Sequence, residues 1–192
     1  SVHGHGTGDL LDMVINAMPA QESAAATEAG IRIAVIGKPN VGKSSLVNKI
    51  SGQERCIVSD AAGTTRDAVD IRIENEYGSF TFTDTAGLRK KSRVTDSVEK
   101  YSILRAQSAI ENSDVCVIMI DAVEGFTEQD SKVAGLAHES GKGCVIAVNK
   151  WDAVEKSGGT MREYEKSLKN DFSFMPYARI VFISVKTGQR LG

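Results

Sequence analysis

The sequence is most constrained by residues 37–44, which read GKPNVGKS. The segment fits the pattern G-x-x-x-x-G-K-[ST], follows the apolar run IRIAVI, and opens a predicted helix over about 43–51. Its glycines allow successive backbone N–H groups to curl around a phosphate, and the N-terminus of the following helix adds a favourable dipole. These residues therefore predict a phosphate-binding loop between a strand and a helix.

Downstream of this loop, strand-like runs alternate with helical patterns. Strands are predicted at 31–36, 68–74, 79–84, 114–121, 143–149 and 178–184, and helices at about 43–51, 95–112, 127–140 and 160–170. The second and third runs alternate with period two across the turn NEYG and predict a hairpin. Strands that alternate with helices imply βαβ crossovers. We expect an α/β P-loop NTPase: a six-stranded, mostly parallel sheet with one antiparallel edge strand and helices on both faces.

Composition excludes several classes of protein. The 192 residues have a formal net charge of −2, with 41% hydrophobic and 25% charged residues, which is typical of a soluble globular protein. The three cysteines are widely spaced and form no CxxC pair, so we expect a reducing cytoplasm rather than a disulfide scaffold or a zinc site. No apolar run approaches 18 residues, so we expect neither a membrane partner nor, given the charge, DNA.

The first thirty residues differ in character from the rest. Apolar side chains of residues 9–18 fall on one helical face, and residues 19–30 are small, polar and acidic, as is typical of a linker. Because the chain opens without methionine, we expect it to be a piece of a longer protein.

The magnesium and γ-phosphate contacts are predicted from the phosphate loop and the segment DTAG at 84–87. Lys43 would neutralise the β- and γ-phosphates, and the Ser44 hydroxyl would bind Mg²⁺. Asp84 ends a predicted strand, where a Walker-B-type carboxylate holds Mg²⁺, usually through water. Gly87 would allow close backbone approach to the γ-phosphate.

A nucleotide-sensing hydroxyl is predicted in the loop GTTRD at 63–67. A hydroxyl from such a loop can complete the Mg²⁺ shell only when a γ-phosphate is present. Thr65 is favoured over Thr64 for this role.

The segment NKWD at 149–152 predicts the base. The Asp152 carboxylate can accept hydrogen bonds from both N1–H and the 2-amino group of guanine, and adenine lacks this donor pair. Asn149 and Lys150 would brace the neighbouring loops, with the Lys150 stem along the base.

In chain order, GKPNVGKS, GTTRD, DTAG, NKWD and SVK resemble the five signature motifs of translation-factor-type GTPases across residues 31–188. The longer segments AAGTTRD and DTAGLRKKSRV resemble the second GTPase domain of the double-Era-like bacterial ribosome-assembly GTPases (EngA/Der). That family has two GTPase domains, an acidic linker between them and a KH-like RNA-binding domain after them. The resemblance implies that 1–18 are the tail and last helix of a preceding GTPase domain, 19–30 the linker, and 31–192 a GTPase domain without its last helix. We expect helix 9–18 to fill that vacant position.

The resemblance also implies a full set of site residues. Nucleotide contacts are expected from Asn40, Val41, Gly42, Lys43, Ser44, Ser45, Asp84, Gly87, Asn149, Lys150, Asp152, Ser184, Val185 and Lys186. Catalytic roles are expected for Asn40, Lys43, Thr65 and Gly87, and Mg²⁺ ligation for Ser44, Thr65 and Asp84. Val185 replaces the alanine more typical of the fifth motif, but its backbone N–H is the group expected to act there.

The expected reaction is GTP plus water to GDP plus phosphate, in a switch for large ribosomal subunit assembly. Leu88 stands where many regulatory GTPases carry a water-orienting glutamine, so slow turnover is expected. The resemblance implies that Asn40 ligates a K⁺ ion that replaces an arginine finger; the alternative is an asparagine that braces the loop. The basic cluster Arg89, Lys90, Lys91 and Arg93 is either a solvated loop or a contact to rRNA or an adjacent domain.

Two other functions compete with this one. In the first, the domain is a nucleotide-gated RNA- or ribosome-binding module in which hydrolysis is incidental. In the second, it is a P-loop ATPase or kinase, and NKWD argues against that reading because it selects guanine.

Overall fold

A computed structural model describes residues 30–52, 70–83 and 98–191. Within them, the strands are β1 (Ile31–Gly37), β2 (Ile71–Asn75), β3 (Gly78–Phe82), β4 (Val115–Asp121), β5 (Gly143–Asn149) and β6 (Arg179–Phe182). The α-helices are α1 (Lys43–Ser51), α2 (Val98–Glu111), α3 (Glu128–Glu139) and α4 (Thr160–Asp171), and a short 3₁₀ helix spans Trp151–Ala153.

The strands of the described residues form one sheet in the order β2-β3-β1-β4-β5-β6. β2 pairs antiparallel with β3, and every other pairing is parallel. The expected fold class is therefore confirmed, including the antiparallel edge strand. β1 lies between β3 and β4, so the order of the strands reverses at β1. The carboxyl end of β1 therefore lies where doubly wound sheets bind ligands.

The strands β4 and β5 are apolar along almost their whole length. Ile118, Met119 and Ile120 of β4, and Ile146 and Val148 of β5, are at most 1% exposed. This burial is typical of parallel strands that have layers on both faces. It fixes the carboxyl ends of β4 and β5 relative to β1, and these ends carry the polar residues of the site.

Helices lie on both faces of the sheet, but unequally. α2, α3 and α4 pack on the face that contains Ile118 and Ile146, and α1 packs through Leu46 and Val47 on the other face. Over β4 to β6 this second face carries half-buried valines, and Val181 is 40% exposed.

Several sequence predictions lie outside the described residues and remain predictions. They are the helix 9–18 and the linker, Thr64 and Thr65, Asp84, Gly87, Leu88 and the basic cluster at 89–93. No helix in the described parts of the chain is long and apolar enough to cross a lipid bilayer.

Candidate nucleotide-binding site

The loop between β1 and α1 depends on backbone conformations that favour glycine. Gly37 has φ 140° and Gly42 has φ 104°, and Asn40 between them has φ 63°. A Cβ atom on Gly37 would lie 2.5 Å from the carbonyl oxygen of Met119 on the neighbouring strand β4. The loop can therefore approach the sheet this closely only because residue 37 has no side chain.

The loop ends at a helix terminus that carries no competing negative charge. The N-cap residue of α1 is Gly42, no side chain caps the helix, and its first turn contains no acidic residue. The first N–H groups of a helix have no partner within it. By contrast, α3 begins with a Thr127–Asp130 capping box. An uncapped terminus below a glycine-rich loop is suited to bind an anion.

Lys43 points its ammonium group back into the same loop. Its Nζ donates to the carbonyl oxygens of Gly37, at 2.6 Å, and Lys38, at 2.5 Å. Burial lowers the pKa of Lys43 from its ordinary 10.5 to about 8. A buried ammonium has lost part of its hydration. A nearby phosphate therefore strongly stabilises its charged form, because the anion compensates for the lost solvation.

The Asn149 side chain joins the phosphate loop to the segment that follows β6. It is 3% exposed; its Nδ2 donates to the Val41 carbonyl at 2.7 Å, and its Oδ1 accepts from the Val185 N–H at 3.0 Å. A Cβ on Gly42 would lie 2.4 Å from Asn149 Nδ2, so this bridge also needs a glycine beside it. The predicted role of Asn149 as a brace fits these contacts.

Asp152 is oriented from the loop that follows β6. The buried Ser184 hydroxyl donates to Asp152 Oδ1 at 2.6 Å, and the Thr187 N–H donates to the same hydroxyl at 3.1 Å. The Ser184 hydrogen bond lowers the pKa of Asp152. The carboxylate is therefore ionised at neutral pH and acts as an acceptor, with lone pairs beyond the one that Ser184 occupies.

Lys150 is held by a residue that the sequence analysis did not select. Its Nζ lies 2.5 Å from Oδ2 of Asp121, the last residue of β4, and its backbone has φ 62°. Burial opposes ionisation of Asp121, but the Lys150 ammonium and the Val123 N–H outweigh it and hold the pKa of Asp121 below its ordinary value. The signal in the sequence was an aspartate that ends the apolar run VIMID.

The described structure thus gathers most of the predicted residues at one edge of the sheet. Ser44 is half-buried and Ser45 exposed in the first turn of α1, Asn40 is exposed in the loop, and Lys186 is exposed beside the buried Val185. Phosphate-loop, NKWD and SVK residues are linked by the Asn149 and Ser184 hydrogen bonds.

A match to a known protein family shows to which family this chain belongs. Residues 32–150 match the family described as 50S ribosome-binding GTPase. This chain belongs to the 50S ribosome-binding GTPase family. The match covers the phosphate loop, Asn149 and Lys150, whereas Asp152 and Ser184 lie beyond the matched range.

Curated relatives of this GTPase-family domain carry the name GTPase Der. The protein of Acetivibrio thermocellus is 55% identical over 191 residues, which cover 100% of this chain and 43% of the relative. That of Thermoanaerobacter sp. (strain X514) is 57% identical over 189 residues, covering 98% of this chain and 43% of the relative. The chain therefore spans less than half the length of these relatives. The resemblance drawn from the motifs is confirmed, and the assignment to the second of two domains stays a prediction.

Solved structures share the fold of this GTPase-family domain. Era in complex with MgGDPNP and a segment of 16S ribosomal RNA is 28% identical, with a TM-score of 0.63 over 84% of this chain and 53% of that chain. A variant of Aquifex aeolicus Era bound to GDP and AlF₄⁻ is 29% identical, with a TM-score of 0.60 over the same shares. SelB from Methanococcus maripaludis, at 18% identity and a TM-score of 0.61 over 83% of this chain and 31% of that chain, shares the fold alone.

Substitution of Gly42 tests the contact between the phosphate loop and Asn149. Gly42→Ala places a Cβ against Asn149 Nδ2 at a positive φ, so the variant should lose about 2 kcal/mol or more of unfolding free energy and most of its nucleotide affinity. Gly135→Ala is the matched control, because Gly135 lies inside α3, where an added Cβ would meet no other atom within 4 Å; this variant should be slightly stabilised. Denaturant unfolding and calorimetry measure both effects. Parental affinity in Gly42→Ala would contradict the assignment.

The lowered pKa of Lys43 predicts that phosphate binding takes up protons. Some of the empty domains therefore have a neutral Lys43 near pH 8, and bound phosphate raises that pKa again, so nucleotide binding should take up more protons at pH 8 than at pH 7. Calorimetric titrations in two buffers of different ionisation enthalpy measure the proton uptake at each pH. Equal uptake at the two pH values would show that Lys43 does not titrate with the ligand.

Proposed function

We propose that this domain binds GTP and hydrolyses it to GDP and phosphate, as a nucleotide-dependent switch in assembly of the large ribosomal subunit. The observation that carries the proposal is the Asn149 bridge, which ties the phosphate loop to the segment whose Ser184 orients Asp152. One buried side chain thus connects the N-terminus of α1, proposed to bind phosphate, with the Asp152 carboxylate, proposed to select the base. Membership of a GTPase family and relatives named GTPase Der support the same activity.

Base selection is proposed to rest on Asp152. Its ionised carboxylate can accept from N1–H and the 2-amino group of guanine while Ser184 fixes its orientation. Adenine presents no such donor pair, so the carboxylate would face an acceptor and lose its hydration without compensation.

Hydrolysis is proposed to rest on charge neutralisation and positioning. The Lys43 ammonium would keep its hydrogen bond to the Lys38 carbonyl and turn its other N–H groups to the β- and γ-phosphates, and the first N–H groups of α1 would hold phosphate oxygens. The roles predicted for Thr65 and Gly87, at the metal and the γ-phosphate, are part of the proposal.

Magnesium is proposed as the cofactor. Ser44 follows Lys43 in the first turn of α1, where its hydroxyl and the predicted Asp84 and Thr65 would offer the oxygen ligands that Mg²⁺ prefers. Bound Mg²⁺ would neutralise phosphate charge. The Era complex with MgGDPNP supports this proposal.

The proposed partners are ribosomal RNA or the large ribosomal subunit, a preceding GTPase domain, and a following KH-like domain in the longer protein. The family description names the 50S ribosome, and the Era structure contains 16S ribosomal RNA. Relatives more than twice as long as this chain leave room for further domains. The cytoplasm is the proposed location.

The Asp152→Asn variant tests the proposed function. Parental domain with Mg²⁺ should release phosphate from GTP and not from ATP. In the variant, an amide N–H faces the 2-amino group of guanine, so affinity for GTP should fall by about 100-fold. Affinity for xanthosine triphosphate should rise, because its 2-oxo group can accept from that amide. Asp171→Asn, at the exposed end of α4, is the control and should change neither affinity.

Phosphate release and competition binding with the three nucleotides measure these results. Equal release from GTP and ATP by the parental domain would contradict the proposed function. Unchanged GTP affinity in Asp152→Asn would contradict the role of this carboxylate.

We also propose that Asn40 ligates K⁺ during hydrolysis. Asn40 is exposed and has φ 63°, so Asn40→Gly removes the amide and keeps the backbone conformation accessible, whereas Asn40→Ala changes both. At equal ionic strength, K⁺ should stimulate parental turnover over Na⁺, and both variants should lose this stimulation. Stimulation that persists in Asn40→Gly would assign Asn40 to bracing the loop.

A further inference from the structure

Lys38, the second residue of the phosphate loop, is buried although lysine is rarely found so. It is 6% exposed, and its Nζ lies 3.0 Å from Oε2 of Glu124 and 3.4 Å from Oδ2 of Asp130. Within the described residues Nζ forms no hydrogen bond, so the two carboxylates balance its charge through proximity alone. A buried ammonium is tolerated only when opposite charges compensate it.

One carboxylate, Glu124, comes from the connection between β4 and α3, and the inner one, Asp130, comes from the first turn of α3 and is rigidly placed. Asp130 is 1% exposed, and its Oδ2 accepts from both the N–H and the hydroxyl of Thr127, at 3.0 and 2.7 Å. The first of these bonds and the Asp130 N–H, which donates to the Thr127 hydroxyl at 3.4 Å, form the capping box of α3, so Asp130 moves only with the helix. Glu124 is more exposed and closes the other side of the ammonium.

The backbone of the same lysine holds the phosphate-binding lysine. The Lys38 carbonyl oxygen accepts from Lys43 Nζ at 2.5 Å. Pro39 follows directly; its ring fixes its own φ and disfavours helical conformations of the residue before it. The direction of the Lys38 carbonyl is therefore set by an anchored side chain on one side and by a proline on the other.

We infer that Lys38 is a positioning residue for Lys43: Glu124 and Asp130 anchor its side chain, and the anchored residue fixes the carbonyl that presents the Lys43 ammonium to the phosphates. The inference rests on the proposed function. Lys38 does not touch the nucleotide in this role, because its ammonium points to Glu124 of the β4–α3 connection and to Asp130 of α3.

The same connection also holds the base end of the site. Asp121 at its start pairs with Lys150, and Glu124 three residues later pairs with Lys38. A single seven-residue segment, 121–127, thus contacts one lysine from the base-binding motif and one from the phosphate loop. A shift of this segment would displace both, so its acids matter for function as well as for stability.

Five variants test the inference at saturating GTP, at a temperature where denaturant titration shows each protein fully folded. Lys38→Met removes the anchor and should lower kcat by about tenfold or more, because a small misplacement of a catalytic group is costly. Glu124→Gln should lower kcat by about threefold, and the double variant should be no slower than Lys38→Met, since both act through one contact. Lys38→Arg should restore kcat to within about threefold of the parent, because its charge still meets both acids.

Glu128→Gln is the matched control. Glu128 is an exposed acid in the first turn of α3 that pairs with Lys132, and its loss should leave kcat unchanged. If Lys38→Met does not fold, the comparison of Glu124→Gln with Glu128→Gln decides. Equal kcat values for these two, parental kcat in a folded Lys38→Met, or additive losses in the double variant would overturn the inference and leave Lys38 a purely structural residue.

Failure of the proposed function gives a separate result. A parental domain that turns over no GTP rejects hydrolysis but leaves nucleotide binding to Lys43 measurable. The same variants are then compared by their dissociation constants for GDP, since a displaced Lys43 also loses its contact with the β-phosphate. The same ranking of variants supports the positioning role, and identical constants overturn it.

Discussion

The site depends on one buried amide. Asn149 uses both ends of its side chain, donating to the Val41 carbonyl and accepting from the Val185 N–H, and so joins segments that enter the site from β1, β5 and β6. β1 and β5 are not neighbours in the sheet, since β4 lies between them, so no backbone ladder could make this connection. Leaving either buried group unpaired would cost about 1–3 kcal/mol, and the distance between the phosphate and base positions would no longer be fixed.

Around this bridge, three lysines of the site each have a defined set of partners. Lys43 lies between two carbonyls of its own loop, Lys150 pairs with Asp121, and Lys38 lies against Glu124. Two of these pairs reach the β4–α3 connection, so the carboxyl end of β4 serves both halves of the site. The glycine-rich loop thereby has a fixed shape before any ligand binds, which lowers the conformational entropy that is lost on binding.

Much of the fold and of the site follows from local sequence. The phosphate loop at 37–44 is recognisable because its glycines and its lysine act within eight residues. Strand-like runs that alternate with helical patterns predict all six strands of the described sheet. Strand boundaries are predicted less accurately, since Asp70 belongs to the predicted strand 68–74 but lies just before β2, which begins at Ile71. Lys38, Asp121 and Glu124 escaped prediction because their pairings join segments about 30 to 86 residues apart, and no local pattern marks a charge that is neutralised only after folding.

Titration calorimetry of the parental domain with GDP and with ADP, each in the presence of Mg²⁺, tests whether this site binds a nucleotide and selects its base. The bridge through Asn149 fixes the distance between the phosphate loop and the Asp152 carboxylate, which is proposed to select guanine. Binding of GDP should therefore be saturable and at least about 100-fold tighter than that of ADP. Equal affinities would show that the base is not selected where the structure places Asp152, and absence of heat with either nucleotide would contradict the assignment of the phosphate loop itself.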